Sequence, residues 1–184
     1  MNNSEDKEET LRWYALRVFH NKVFQAEEAL MAASVECYVP TTTEVVERDG
    51  ERVRRKRPVI PSLMFVRVSR SQLAAIESMD DLNVRAYTRF DGHGRRIPAP
   101  IPDREMQVFI LVSSSGEQGL EYFDADSAAL SVGSRVRVVG GVFKGSEGYI
   151  KRIKGNRRFI VRINGVCAVA TPYIPVAFLE KVDD

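Results

Sequence analysis

The segment KRPVIPSLMFVR, residues 56–67, passes from two cations and a proline to an almost wholly apolar run, with Pro61 and Ser62 between its hydrophobic halves. LMFVRV (63–68) reads as a strand, and alternation along it sends Leu63 and Phe65 to one face and Met64 and Val66 to the other. A single buried face accommodates only one of these pairs. One pair must meet flanking helices, and the other either more helices or a partner; the residues by themselves leave both readings open.

Upstream, RWYALRV (12–18) reads as a strand, and HNKVFQAEEALMAAS (20–34) as a helix with Val23, Ala26, Leu30 and Ala33 on one face. After a short strand in VECYVP, the stretch TTTEVVERDGERVRRKRPV carries Asp49-Gly50 between two strand-like arms. That dipeptide favours tight hairpin turns because both central residues take positive φ, so a protruding hairpin with a basic return arm is expected. Downstream come a short helix SQLAAIESM (71–79) with Ser71 as its cap, a strand NVRAYTRF (83–90) and a turn in DGHGRRIPAP. Pro102 and Asp103 suit the start of a further helix, PDREMQVFILV (102–112). Strands and helices alternate without the long apolar strands of a doubly wound sheet. The fold class is therefore α+β, an antiparallel sheet flanked by helices over residues 12–112, behind a disordered acidic tail at 1–11.

SSSGEQGLEYFDADSAALS (113–131) is rich in Ser, Gly and acid and shows neither periodicity, which makes it a flexible linker and the domain boundary. Beyond it, short strands RVRVV, GYIKRI, RFIVRI, VCAVA and FLEKV are separated by glycine-rich turns, as in a small five-stranded β-barrel over residues 132–184. The charge is uneven as well. Up to residue 130 there are 17 Lys+Arg against 21 Asp+Glu, and beyond it 10 against 4, within a formal net charge of +2. The C-terminal module is basic.

At 184 residues and 44% hydrophobic composition, the chain has enough apolar material for one domain or two small ones. There is no run of about 18 apolar residues, and MNNSEDKEET lacks the cationic start of a signal peptide, so a cytoplasmic protein with no membrane contact is expected. Cys37 and Cys167 lie far apart without CxxC or histidine companions, which suggests neither a disulfide framework nor a zinc site. His20 and His93 are the only histidines, and no GxSxG, P-loop or HExxH occurs. No enzyme, metal or cofactor is expected.

VGSRVRVVGGVFKGSEGYIKRIKGNRRF resembles a KOW motif, with Gly145 and Gly148 in the turn after GVFKG. WYALRV, the VP before the hairpin and KRPVIPSLMFVR resemble the N-terminal (NGN) domain of NusG-type transcription elongation factors. The resemblance covers about residues 12–183. It implies a monomeric factor that rides on RNA polymerase and suppresses pausing or termination, its first domain bridging the polymerase cleft. The matching surface, Trp13, Ile60, Pro61, Leu63 and Phe65, would grip the clamp helices of the largest polymerase subunits. His20, Asn21 and Lys22 resemble the region that faces upstream or non-template DNA, and a helix N-terminus suits a phosphate. RVRRKR (52–57) and KRIKGNRR (151–158) are either phosphate contacts or solvated strand faces. The KOW module would recruit another factor, such as a ribosomal protein. Ser62 replaces a usual glycine and Leu63 a usual aromatic, and the apolar ending NGVCAVATPYIPVAFLEKV is more like the UpxY-type paralogs that act on long capsular polysaccharide operons. A housekeeping NusG-type factor and a ribosome-associated KOW RNA-binding protein are the alternatives.

Overall fold

In the computed structural model, residues 10–48, 50–124, 133–153 and 155–182 are described. The expected tail up to residue 9, Asp49 of the hairpin turn, linker residues 125–131 and Lys154 of the KGNR turn lie outside them. The chain divides into two compact units, Met1–Asp103 and Arg104–Asp184.

The first unit runs β1 (Arg12–Val18), α1 (Val23–Ala32), β2 (Glu36–Tyr38), β3 (Thr41–Arg48), β4 (Glu51–Pro58), β5 (Leu63–Val68), α2 (Arg70–Glu77), β6 (Val84–Ala86), β7 (Thr88–Phe90), β8 (Arg96–Pro98) and β9 (Pro100–Ile101). Its sheet has the order β2-β5-β1-β6, all pairs antiparallel, with β9 pairing β1 beyond the end of β6. Two hairpins leave this sheet, β3–β4 between β2 and β5, and β7–β8 between β6 and β9. The single strand expected over 83–90 is therefore two, interrupted at Tyr87, where the chain departs along the second hairpin.

Alternation divides the central strands as their sequences require. Tyr14, Leu16 and Val18 of β1 and Met64, Val66 and Val68 of β5 form one core with Val23, Ala26 and Leu30 of α1 and Leu73 and Ile76 of α2. Val23 and Leu30, almost fully buried, contribute about 1.5–3 kcal/mol each. That outweighs the roughly 1 kcal/mol a missing N-cap costs, so α1 forms although Lys22 supplies no side-chain cap. Helix α1 is shorter than its apolar periodicity suggested. His20 and Asn21 at φ 59° and 57° precede it, and Ser34 at φ 61° follows its exposed C-cap, Ala33. Helix α2 is capped by Ser69 and not by Ser71: Ser69 Oγ accepts from Gln72 N at 3.2 Å while Gln72 Oε1 accepts from Ser69 N at 2.9 Å. This reciprocal box satisfies two otherwise orphaned donors.

The second unit holds most of α3 (Asp103–Ser113), then β10 (Glu121–Asp124), β11 (Ser134–Val138), β12 (Glu147–Ile153), β13 (Asn156–Ile163), β14 (Cys167–Tyr173) and β15 (Leu179–Lys181). The strands form one antiparallel sheet in the order β10-β14-β13-β12-β11-β15. The five expected strands are there and a sixth, β10, is added from the segment read as linker. In EYFD, Phe123 packs on the Ile160, Ala168 and Ala170 cluster, Glu121 pairs with Arg158 at 2.8 Å, and Tyr122 Oη donates to Ser113 O at 3.2 Å. Four residues with one packing aromatic and full ladder pairing are enough for a strand, despite the surrounding Ser, Gly and acid.

Candidate functional site

The residues predicted to grip a partner separate into two groups. Leu63 and Phe65 are completely inaccessible and Trp13 is 5% exposed. They lie on the sheet face opposite the α1 and α2 core, in register with Arg17, Ala15 and Arg67 respectively, and both faces of β5 are buried. These three are core residues here, which corrects the expectation that they form an exposed anchor surface. Ile60 and Pro61 differ. They sit in the connection from β4 to β5, closed by Val59 N donating to Pro40 O at 3.0 Å and Leu63 N donating to Ile60 O at 3.2 Å, with Ile60 half-buried and Pro61 exposed.

Pro61 borders a groove of about 340 Å³ that joins three segments singled out in the sequence. Asn21, Val23 and Phe24 at the start of α1 form one wall; Glu44, Arg55, Lys56, Arg57 and Pro58 of the hairpin form another; Val59 and Pro61 complete it. Glu44 Oε2 lies 3.2 Å from Arg57 Nε, and both side chains are substantially exposed, so this pair adds little stability. Three cations against one carboxylate leave the groove positive. Its apolar share comes from Pro58, Val59, Pro61 and Phe24, the last 36% exposed.

His20, Asn21 and Lys22 are exposed, and only Asn21 borders the groove. Their conformation explains the residue types. Two consecutive left-handed residues are needed to turn from β1 into α1, and Asn and His are among the side chains that tolerate that region best. Lys22 makes no side-chain cap and the first turn of α1 carries no acid, so its backbone N–H groups and the dipole favour an incoming anion.

In the second unit, Gly145 has φ 88° and its N–H donates to Val138 O at 2.7 Å, a turn position that glycine suits. Gly148 is in β12, opposite Val136, and not in the turn. It is required for a different reason: a Cβ there would lie 2.5 Å from Ile160 O and 2.7 Å from the Phe159 ring. Beside it, Glu147 is the hub of three arginines, with Arg104 at 2.6 Å, Arg137 at 2.7 Å and Arg135 at 3.2 Å. Hydrogen bonds from Arg137, then the charge of Arg104, hold its carboxyl below the ordinary range against the opposing effect of burial. Both thiols are unreactive in character: burial pushes Cys37 up to about 11 and Cys167 up to about 12. Among the described residues no group of His, Cys, Asp and Glu could hold a metal, and no helix is long and apolar enough to cross a membrane.

A family model described as "Transcription termination factor nusG" matches residues 11–110, more than half of the chain. The chain belongs to the NusG family. The NusG match takes in β1, the groove, both hairpins and most of α3. Among curated relatives, the "Transcription termination/antitermination protein NusG" of Streptococcus pyogenes serotype M3 is 24% identical over 151 residues, covering 81% of this chain and 80% of the relative. The NusG proteins of serotypes M1 and M18 match to the same extent. At 151 residues, the stretch matched to these NusG relatives is longer than the one the family model covers.

Sequence reasoning named the hairpin cations, Asn21 and Pro61 separately and did not join them. It missed Phe24 and Val59. Phe24 follows a residue on the buried face of α1, and an aromatic just off that face at a helix start was the available signal.

Proposed function

We propose that this chain is a transcription termination/antitermination factor that works by binding RNA polymerase, with the groove at the base of β3–β4 as its contact region. The NusG match over residues 11–110 carries this reading, because the matched segment contains every residue of the groove. Ile60 and Pro61 meet an apolar partner such as the polymerase clamp helices, while Trp13, Leu63 and Phe65 fix the sheet beneath them. A few desolvated apolar anchors are sufficient for a helix docked in a groove. His20, Asn21 and Lys22, with Arg55 and Arg57, face nucleic acid such as the non-template strand.

The finer role we propose is relief of pausing or termination on a few long operons, capsular polysaccharide operons among them, with Ser62 and Leu63 as the supporting departures from the housekeeping pattern. The protein acts by binding and not by catalysis, in the cytoplasm, as a monomer, and its C-terminal unit recruits a further factor. The test is capture of RNA polymerase from a lysate by the full-length chain, by Ile60→Glu and by Pro61→Glu, the last of which alters the groove lining itself. Retained folding with lost capture supports the groove; unchanged capture rejects it, and co-purification with ribosomal subunits instead of polymerase rejects the whole reading. Chromatin immunoprecipitation decides the finer role: occupancy of a few operons supports it, and occupancy of most transcribed genes assigns a housekeeping factor.

A further inference from the structure

We propose that the β7–β8 hairpin is a separate nucleic-acid contact, a finger that stacks an unpaired base on Phe90 while its arginines hold the neighbouring phosphates. The hairpin grows from one edge of the sheet, where β6 and β9 line successive parts of β1. Its base is fastened by Tyr87 N donating to Ala15 O and Ala99 N donating to Tyr87 O, each at 2.9 Å. Its tip is held as firmly. The Asp91 carboxylate accepts the backbone N–H groups of His93 and Arg95, both at 2.8 Å, and Arg95 Nε at 2.9 Å.

On this frame Phe90 is 66% exposed, more than the other exposed large hydrophobic residues described. Arg96 lies directly opposite it in the ladder and sets its guanidinium 5.5 Å from the ring centre. Arg89 and Arg95 are exposed on the same hairpin. Arg95 is bound to the Asp91 carboxylate, so Arg89 and Arg96 are the arginines of the hairpin that an incoming phosphate would meet. An exposed aromatic ring with a guanidinium beside it suits unpaired bases, because every base offers a π-face and the arginines of the hairpin displace condensed counterions. A duplex fits poorly, since its bases already stack on one another. None of the groove residues takes part, so this site stands or falls apart from the polymerase reading.

The test is fluorescence anisotropy of the full-length chain with labelled oligodeoxythymidine, oligouridine and a short duplex. Phe90→Ala is expected to weaken single-strand binding roughly tenfold, as loss of one stacking platform does, whereas Phe90→Trp preserves it. Arg89→Gln with Arg96→Gln is expected to lower the salt dependence. Preference between the two single strands tells DNA from RNA. Binding unchanged in Phe90→Ala overturns the proposal, as does an equal loss on the duplex. Intact oligonucleotide binding with lost polymerase capture also overturns it and makes the hairpin a protein contact.

Discussion

Truncating Leu63 and Ile60 to alanine, one at a time, separates the floor of the sheet from its surface. Leu63 is wholly inaccessible and lies on a strand paired along both edges, with β1 and β2, so the backbone around it has little freedom to close a void. Leu→Ala at such a site costs about 2–5 kcal/mol. Ile60 is half-buried in a connection open to solvent, where truncation removes part of a side chain's transfer energy and encloses no cavity, about 1 kcal/mol. Trp13 makes the measurement specific, since it is the only tryptophan in the chain, is almost fully buried, and sits on β1 beside β5. Its fluorescence along a urea gradient reports the first unit. With a mid-range slope of about 2 kcal/mol per molar urea, Leu63→Ala is expected to lower the midpoint by roughly 1–2.5 M and Ile60→Ala by roughly 0.5 M. Equal, small shifts would refute the placement of Leu63 in the core. A large shift at Ile60 would refute its role as a surface anchor.

In the second unit, Gly145→Ala is expected to cost about 1–2 kcal/mol through its left-handed conformation alone, since open space surrounds it. Gly148→Ala, driven against the Ile160 carbonyl and the Phe159 ring, should cost about 1–3 kcal/mol or more, and thermal melts by circular dichroism measure both. Because the folded-state pKa of Glu147 is depressed, its stabilising effect is fully present above the ordinary value of 4.5 and is lost as pH falls through the lower folded value. Glu147→Gln should therefore flatten the acid limb of a stability profile, and an unchanged limb rejects the hub's role. Neither cysteine should react quickly with a thiol reagent near neutral pH, and half-buried Cys37 should react before buried Cys167; mass spectrometry of alkylated native protein gives the order. Strands β11–β14 should stay β, since residues 131–170 contain seven glycines, each costing about 1 kcal/mol in a helix; mainly helical chemical shifts there would reject this.

Strands with a clear signature were legible: β1 and β5 match the segments read from RWYALRV and LMFVRV residue for residue. Helix ends were not, because their causes are local. The pattern Ser69-x-x-Gln72 was present, yet the nearer Ser71 drew the cap assignment, and apolar spacing drew α1 through two left-handed residues. Burial of both faces of β5 was foreshadowed by the continuous run Leu63–Met64–Phe65–Val66, since a strand with one wet face would alternate. The groove was illegible for a different reason. Its two walls come from segments at least twenty residues apart, and no local pattern records that a hairpin base and a helix start converge.

The position of β10 bears on how this protein can be cut. In the ladder, β10 covers the outer edge of β14, whose residues Cys167–Thr171 are all buried. A fragment started at residue 132, where composition alone marks the boundary, would strip that cover and leave a row of unsatisfied amides and carbonyls along an apolar strand, a template for pairing with another copy. With β10 in place the sheet instead ends on a strand of only four residues, and so short an edge offers a second copy little to pair with.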